Sequence, residues 1–275
     1  MSDAHALIAK YGLRAKKSWG QNFLVDARAY REIVHACAIG EGDWVAEIGA
    51  GLGTLTARLA ATGAHVVAIE RERDMLEVLR SELGGDARIE VVEANALTYD
   101  YAALAARAGR PPVIVGNLPY QIASPILFRL LETPAPLARI VVMLQKEMAD
   151  RIVAPPGEKA YGALSVMVRF YGEPKLVCRV RAGGFVPAPR VDSAVLRIVP
   201  HQERLAVSDR KFSEVVHAAF NQRRKTLRNA LSAAFDGDRV DQALAAASID
   251  GMRRGETLSV TEFAAVTKAL SNEDA

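Results

Sequence analysis

The sequence predicts an α/β fold with a mostly parallel sheet, followed by a smaller all-helical domain at the carboxyl end. The first observation is an alternation of apolar, strand-length runs with helical stretches from Trp44 to about Gln145. This alternation is typical of parallel strands covered by helices on both faces. The second is a change after Pro200, where the remaining pattern is helical. The third is a set of glycine-rich or polar segments directly after strands, where open α/β sheets bind ligands.

Each element follows from local periodicity and from turn or cap residues. Short apolar runs predict strands at 44–48, 65–69, 88–92, 113–115, 140–144, 175–180 and 194–199. Helical periodicity predicts helices at about 26–38, 54–61, 74–83, 101–108, 125–131, 208–220, 225–234, 239–247 and 261–270. Asp26, Ser208 and Asp238 are predicted N-caps, because their short polar side chains accept hydrogen bonds from first-turn amides. We divide the chain into a basic arm (1–25), an α/β domain (26–200) and a helical domain (201–275).

The composition is that of an ordinary globular protein. Half of the 275 residues are hydrophobic and the net charge is only +3, so any nucleic-acid surface must come from local clusters of basic side chains. Cys37 and Cys178 lack metal or redox spacing, and we expect reduced thiols and no metal site. We find no secretory signal and no apolar run of roughly 20 residues, which predicts a cytoplasmic protein without a membrane partner.

A turn with three alternating glycines, Gly49, Gly51 and Gly53, follows the first strand, and Glu47 precedes it. Glycines allow a tight turn and a close backbone approach to a ligand. Glu70 ends the second strand, 21 residues after Gly49, where a carboxylate can bind the ribose hydroxyls of an adenosine-containing cofactor. A NAD-dependent dehydrogenase is the alternative, but its fingerprint is G-x-G-x-x-G, and the spacing here differs.

The segment Gly116-Asn117-Leu118-Pro119-Tyr120 follows the fourth strand. The side-chain oxygen of Asn117 and the carbonyl of Leu118 could accept both N–H bonds of an exocyclic amine. The ring of Tyr120 could stack on the base that carries this amine. The alternative is an ordinary strand-to-helix turn, in which Asn and Pro are common.

These motifs together resemble a known family. The glycine turn with its preceding acid resembles the first motif of S-adenosylmethionine-dependent methyltransferases, and Asn117-Leu118-Pro119-Tyr120 resembles the signature of ribosomal RNA adenine dimethyltransferases. Five further stretches are similar to motifs of that family, at 20–24, 145–151, 161–165, 185–195 and 220–227. The resemblance implies a Rossmann-like methyltransferase domain and S-adenosylmethionine as cofactor.

The resemblance also assigns cofactor-binding roles to matching positions. The residues concerned are Asn22, Leu24, Gly49, Glu70, Asn95 and Asn117. Asn22 and Leu24 would close over the cofactor, and Gly49 would border its amino-acid end. Glu70 would bind the ribose, and Asn95 would bind the adenine. The family usually has aspartate at the position of Asn95. An asparagine keeps a carbonyl acceptor for an adenine amine but loses the charge, so we expect that binding survives and is weaker.

The same resemblance indicates how the target adenine would be held. Asn117 and the Leu118 carbonyl would bind its amine, and Tyr120 would stack on one face of the ring. Phe185 would either stack on the other face or anchor a loop between Gly184 and Pro187. No side chain is arranged as a nucleophile, and positioning alone can serve this chemistry.

Two basic segments are candidates for RNA contacts. The first 31 residues hold six basic and two acidic side chains, with Lys16 and Lys17 beside Trp19. Residues 221–228 hold Arg223, Arg224, Lys225 and Arg228 and no acid. The alternative for both is a solvated, charged face.

The resemblance implies dimethylation of two adjacent adenosines in a hairpin loop near the 3′ end of 16S rRNA, within the 30S small ribosomal subunit. A role in small-subunit biogenesis follows, and we expect a monomer that does not act on DNA. One alternative is a 23S rRNA methyltransferase of the macrolide-resistance type, whose members usually lack the Phe220-to-Lys225 stretch. The other is a ribosome assembly factor without catalysis.

Overall fold

The computed structural model describes residues 4–13, 22–222 and 224–271. The strands are β1 (Phe23–Leu24), β2 (Trp44–Ile48), β3 (His65–Glu70), β4 (Ile89–Glu93), β5 (Val113–Asn117), β6 (Arg139–Gln145), β7 (Gly172–Val180), β8 (Phe185–Val186) and β9 (Ser193–Pro200). The helices are α1 (Ala4–Lys10), α2 (Ala27–Cys37), α3 (Thr54–Ala60), α4 (Arg73–Leu83), α5 (Tyr101–Ala108), α6 (Ala123–Leu131), α7 (Lys146–Val153), α8 (Ala163–Tyr171), α9 (Asp209–Asn221), α10 (Leu227–Leu231), α11 (Gly237–Ala246) and α12 (Val260–Ser271). Within these described ranges, no helix is long and apolar enough to cross a membrane.

Seven strands form one sheet in the order β4-β3-β2-β5-β6-β9-β7. Strands β4, β3, β2, β5 and β6 run parallel to their neighbours, whereas β9 runs antiparallel to β6. The predicted mostly parallel sheet is therefore confirmed, and all seven predicted strands are present in it. The strand that opens the alternation, β2, lies between β3 and β5, so the chain winds outward in both directions from this point. Such a switch point is where α/β sheets leave a crevice for a ligand.

The strand register brings the predicted ligand segments to one edge of the sheet. Ile48 pairs with Ile69 on one side and with Gly116 on the other, and Glu70 pairs with Glu93. Because these strands are parallel and end at nearly the same level of the sheet, the segments that follow them lie next to one another. The glycine turn, the residues after β4 and the Asn117 segment therefore lie at the same carboxyl edge.

The basic arm predicted at 1–25 contains a helix and a short strand that the sequence analysis did not predict. Helix α1 packs Leu7 against Leu52 and Met75. The ammonium group of Lys10 lies 2.5 Å from a carboxylate oxygen of Glu82. Strand β1 pairs antiparallel with β8. The described part of the arm is therefore packed against the α/β unit and held there by apolar and ionic contacts.

Two of the three predicted N-caps are confirmed. Asp26 accepts hydrogen bonds from two first-turn amides of α2, and Ser208 accepts one in α9. The prediction for Asp238 was wrong, because α11 begins at Gly237 and Asp236 accepts its first-turn amides. A capping aspartate can thus precede a glycine of weak helix propensity, which periodicity alone does not reveal.

The chain divides into two compact units. An α/β unit comprises Met1–Ala149 and Pro174–Pro200, and a helical unit comprises Asp150–Glu173 and His201–Ala275. This division differs from the predicted domains at residues 150–173, which the sequence analysis included in the α/β domain. Residues 150–173 also contain helix α8, which the sequence analysis did not predict.

Side-chain contacts explain why residues 150–173 belong to the helical unit. The ring of Phe170 on α8 stacks on Phe212 of α9 with their centroids 4.0 Å apart. The hydroxyl of Tyr161 donates to the carbonyl of Leu258 at 2.7 Å. The rings of Phe170, Phe212 and Tyr161 are fully buried, which stabilises this packing. These partners are distant in the chain, so local periodicity could not assign the segment.

Candidate active site

A cavity of about 390 Å³ opens at the carboxyl edge of the parallel strands in the α/β unit. Its lining includes almost every residue that the sequence analysis assigned to cofactor or target base. These are Asn22, Leu24, Gly49, Glu70, Asn95, Asn117, Leu118 and Tyr120. Five separate segments of the chain thus meet around one space that is large enough for a small ligand.

The glycine turn forms one wall of this cavity. The backbone of Gly53 has φ +75°, and a Cβ there would lie 2.6 Å from the side chain of Leu83. Only glycine satisfies both the left-handed conformation and this contact. The amide of Gly51 donates to Glu70 Oε2 at 3.0 Å. The turn is therefore fixed both by helix packing and by the carboxylate at the end of β3.

The carboxylate of Glu70 is held by three backbone amides. Besides the bond from Gly51, its Oε1 accepts from Arg71 at 2.8 Å and from Glu72 at 3.0 Å. These bonds hold an anionic group at the cavity wall and leave acceptor capacity on both oxygens. The side chain is therefore preorganised as an acceptor for hydroxyl groups of a ligand.

A second carboxyl group, that of Glu47, lies deeper in the wall. It is only 3% exposed, and its Oε2 accepts from the hydroxyl of Thr56 at 2.5 Å. Burial raises the pKa of Glu47 to about 8, and the nearby charge of Glu70 adds to this shift. Glu47 therefore carries a proton at neutral pH. The sequence analysis placed this acid ahead of the glycines but did not foresee its burial or its bond to Thr56.

Asn95 occupies the cavity wall beside Glu70, in the loop after β4. Its side-chain oxygen accepts from the amide of Leu97 at 3.0 Å. The loop is joined to β3 by a bond from the Ala94 amide to the Glu70 carbonyl at 2.9 Å. The position of Asn95 is thus set by its own loop as well as by the sheet.

Asn117 ends strand β5 and is oriented by the N-terminal segment. Its Nδ2 donates to the carbonyl of Asn22 at 3.2 Å. The amide of Leu118 donates to Met143 on the neighbouring strand at 3.2 Å. No described residue donates to Asn117 Oδ1 or to the Leu118 carbonyl, so both acceptors at the cavity remain available to a ligand.

Tyr120 lines the same part of the cavity and is held by its hydroxyl, which lies 2.7 Å from the hydroxyl of Ser193. Burial raises the pKa of Tyr120, so the phenol stays neutral. The bond to Ser193 connects the Asn117 segment with the start of β9. The ring is thereby fixed beside the two free acceptors.

The comparison with known sequences decides the family. A profile of the ribosomal RNA adenine dimethylase family matches residues 12–271. The chain belongs to this family. Among its relatives, the ribosomal RNA small subunit methyltransferase A of Anaeromyxobacter dehalogenans is 49% identical, with 96% of each chain covered. The protein of the same description from Moorella thermoacetica is 45% identical and covers 97% of this chain and 96% of the relative.

Two solved structures are similar to this chain. The 23S rRNA methyltransferase ErmE has a TM-score of 0.73 at 27% identity, over 90% of this chain and 99% of its own. A dimethyladenosine transferase from Plasmodium falciparum has a TM-score of 0.77 at 24% identity, over 89% of this chain and 95% of its own. The second likeness concerns the fold alone. The Rossmann-like methyltransferase fold expected from the resemblance is confirmed.

Phe185 of this dimethylase does not line the cavity, in contrast to the stacking role considered above. Its side chain is 2% exposed and belongs to an apolar cluster that includes Val180 and Val195. Phe185 pairs with Leu24 in the two-stranded sheet of β1 and β8. The arrangement matches the alternative of a loop anchor, because a buried ring has no exposed face on which a base could stack. Phe185 thus belongs to the same apolar cluster as Leu24, its partner in the two-stranded sheet.

The predicted RNA-binding residues of the dimethylase have different environments. Lys16, Lys17 and Arg223 lie outside the described residues. Arg224 and Lys225 are exposed in the helical unit. The guanidinium of Arg228 instead makes two bonds with Asp241, at 2.6 and 2.7 Å. Its charge is therefore paired with a carboxylate at the surface, which the sequence analysis did not foresee because Asp241 lies on another helix.

Proposed function

We propose that this protein transfers methyl groups from S-adenosylmethionine to the exocyclic amines of two adjacent adenosines in a hairpin loop near the 3′ end of 16S rRNA. The observation that carries the proposal is the pair of free acceptors, Asn117 Oδ1 and the Leu118 carbonyl, beside the ring of Tyr120 at the cavity. An amine has two N–H groups to satisfy, and these acceptors match them.

The chemistry of the cavity wall fits this cofactor better than a dinucleotide. Three glutamates, Glu47, Glu70 and Glu72, line the cavity, and Arg71 is the cation among its lining residues. A pyrophosphate would face the carboxylate of Glu70 here, whereas a sulfonium and an ammonium group would be favoured by it; the protonated Glu47 contributes no charge. The fixed carboxylate of Glu70 would accept the ribose hydroxyls, and Asn22 and Leu24 would cover the ligand. Gly49 would bound its amino-acid end, where a side chain would restrict access.

The protein's part in the reaction is to position the amine. The bound cofactor supplies an activated methyl group, so no strong base is required. Asn117 Oδ1 and the Leu118 carbonyl would direct the amine lone pair toward that methyl, and Tyr120 would hold the ring by stacking. The bond from Asn117 Nδ2 to Asn22 keeps the oxygen end of the amide turned toward the substrate.

The small subunit is favoured over the large subunit as the substrate particle. The two small-subunit methyltransferases named above are 49% and 45% identical over nearly the whole chain, whereas the 23S rRNA methyltransferase ErmE is 27% identical. The complete set of acceptors and carboxylates at the cavity also disfavours an assembly factor without catalysis. The activity would belong to small-subunit biogenesis in the cytoplasm, with the protein acting as a monomer.

The exposed cations of the helical unit would contact the rRNA backbone. Arg224 and Lys225 are exposed, and neither forms an ion pair with another described residue. Arg228 would join them where a phosphate competes with Asp241. Lys16, Lys17 and Arg223 remain predicted contacts from the sequence. Such contacts would bind structured RNA by its backbone and shape.

The decisive test is transfer of label from S-adenosylmethionine into undermethylated 30S subunits, large subunits and DNA, offered separately. Digestion and mass analysis would identify the modified nucleoside. We expect dimethyladenosine from small subunits alone. Label in large-subunit RNA would instead favour the resistance-type activity. Binding of S-adenosylhomocysteine without transfer to any substrate would favour the assembly factor.

A further inference from the structure

Helix α1 packs against side chains that form part of the cavity wall. Phe23, Leu52 and Met75 line the cavity, and all three belong to one apolar cluster with Leu7 of α1. We call these four residues the shared cluster. Leu7 is 3% exposed, so the packing encloses its side chain almost completely. A ligand in the cavity and helix α1 therefore contact the same layer of apolar side chains.

The shared cluster connects three separate segments of the cavity wall. Leu52 belongs to the glycine turn, Met75 to α4 and Phe23 to β1. The ring of Phe23 also approaches the glycine turn, since a Cβ at Gly51 would lie 3.7 Å from Phe23 Cε1. Protein interiors are close-packed, so removal of one member of such a layer displaces its neighbours. The packing of α1 therefore affects the wall at three places.

Helix α1 depends on this packing for its own stability. It has only seven residues, Ala4–Lys10, and a helix of this length is marginal in water because nucleation is costly. Ala4 and Leu7 are buried, whereas the residues between and beyond them are largely exposed. Contact with the shared cluster is therefore what keeps α1 folded. A ligand that stabilises the cluster from the cavity side would also stabilise the helix.

The polar contacts of α1 lie away from the cavity. Lys10 forms its ion pair with Glu82, and the Tyr11 hydroxyl donates to Glu82 Oε1 at 2.7 Å. Glu82 is not among the described residues that line the cavity. The Lys10 side chain is 61% exposed, and exposed ion pairs contribute little to stability. The connection between α1 and the cavity is therefore made by apolar packing, in which Leu7 is the buried leucine.

We propose that Leu7 is a positioning residue for the cofactor site, which acts by holding the shared cluster in the arrangement that binds S-adenosylmethionine. Packing of α1 and binding of the cofactor then favour each other. By thermodynamic linkage, α1 strengthens cofactor binding by the same factor by which the cofactor stabilises α1. This inference rests on the proposed cofactor.

The first experiment is isothermal calorimetry of S-adenosylhomocysteine with full-length wild type, Leu7→Ala and Leu7→Met. We expect Leu7→Ala to raise the dissociation constant at least about tenfold, which lies in the usual range of coupling between two sites. Leu7→Met keeps nearly the same volume and should restore binding to within about threefold of the wild type. This rescue distinguishes the packing at residue 7 from the mere presence of leucine.

Two control variants separate this coupling from other effects. Leu244→Ala removes a comparably buried leucine from the helical unit, so it controls for general destabilisation and should leave the dissociation constant unchanged. Tyr11→Phe removes the bond to Glu82 but keeps the aromatic ring in its apolar surroundings. Its dissociation constant should stay within about twofold of the wild type, because a polar contact at the surface contributes little.

The second experiment measures amide hydrogen exchange of residues 4–13 with and without S-adenosylhomocysteine. In the wild type we expect the ligand to slow exchange in α1 about tenfold or more, by the reciprocal coupling. In Leu7→Ala the same amides should exchange rapidly with or without ligand. This measurement uses the wild type, so it tests the inference even if a variant folds poorly.

Equal dissociation constants for the wild type and Leu7→Ala, or exchange in α1 that does not respond to the ligand, would overturn the inference and leave the proposed cofactor intact. Equal weakening in Leu244→Ala would also overturn it, because the loss would then follow from general destabilisation. If the wild type binds no S-adenosylhomocysteine, the cofactor and the inference both fail. If the coupling is observed but small subunits receive no methyl groups, the inference stands and the proposed activity fails.

Discussion

Asn117 and Asn22, which are 95 residues apart in the chain, are joined by a hydrogen bond from the Asn117 side chain to the Asn22 carbonyl. The bond connects the end of the central strand β5 to the segment that covers the cavity. The bond also orients the Asn117 amide, because donation by its nitrogen leaves its oxygen free at the cavity. The orientation of the Asn117 side chain is therefore set by a contact with the segment that lines the cavity, and this segment is held independently by β8 and by the Tyr30 hydroxyl.

Replacing Asn117 by alanine should abolish methyl transfer with little loss of cofactor binding. The change removes an acceptor for the target amine, and loss of one such polar group typically lowers kcat by about a hundredfold or more. Single-turnover transfer to small subunits and calorimetry with S-adenosylhomocysteine measure the two effects. Gln202→Ala removes an exposed amide and serves as the matched control. A variant that keeps most of its transfer rate would exclude this role for Asn117.

Tyr30→Phe should loosen the segment that covers the cavity. The Tyr30 hydroxyl donates to the Leu24 carbonyl at 2.6 Å and lies 2.5 Å from the hydroxyl of Thr54, so it must accept from Thr54. Loss of these buried bonds should lower the free energy of unfolding by about 1–3 kcal/mol and weaken S-adenosylhomocysteine binding. Urea unfolding and calorimetry check both effects. Tyr11→Phe also removes a hydroxyl but lies away from the cavity lining, so equal cofactor binding losses in both variants would argue against the role of Tyr30.

Glu47 should make the free energy of unfolding depend on pH. Its pKa is about 8 in the folded protein because of burial, above the ordinary carboxyl value that applies when unfolded. Between these values the folded state binds more protons than the unfolded state, so the stability contribution falls as pH rises from about 4.5 to about 8. The slope should approach roughly 1 kcal/mol per pH unit.

Urea unfolding of the wild type and Glu47→Gln across this pH window tests the prediction. Glutamine can still accept from Thr56 but cannot ionise, so the difference in stability between the two proteins should change with pH. The exposed Glu203→Gln provides the matched control. Parallel stability curves for the wild type and Glu47→Gln would show that Glu47 does not retain its proton on folding.

Arg224→Ala should weaken binding to small subunits more than Arg228→Ala does. Arg224 is exposed, whereas Arg228 is bonded to Asp241. Loss of one phosphate contact should reduce the slope of log affinity against log salt by about 1 for Arg224→Ala. Filter binding at several salt concentrations measures this slope. Arg210→Ala, an exposed arginine on α9, is the control, and an equal slope change there would mean that the effect is one of net charge.

Local patterns determined much of this protein. Strand-length apolar runs defined the parallel sheet, because buried strands need continuous apolar sequence. The glycine turn, Glu70 and Asn117 could be placed at one edge because each directly follows a parallel strand. Eight of the nine residues assigned to cofactor or base line the same cavity; Phe185 is the exception.

Only the tertiary structure decided which of these groups remain available for chemistry. Phe185 is buried in the apolar cluster that includes Leu24, and the charge of Arg228 is paired with that of Asp241. Residues 150–173 belong to the helical unit. The Leu97 amide donates to the Asn95 oxygen, a contact that the residue type alone does not indicate. In each case, the deciding factor is a specific contact whose geometry exists only after folding, so composition and periodicity do not encode it.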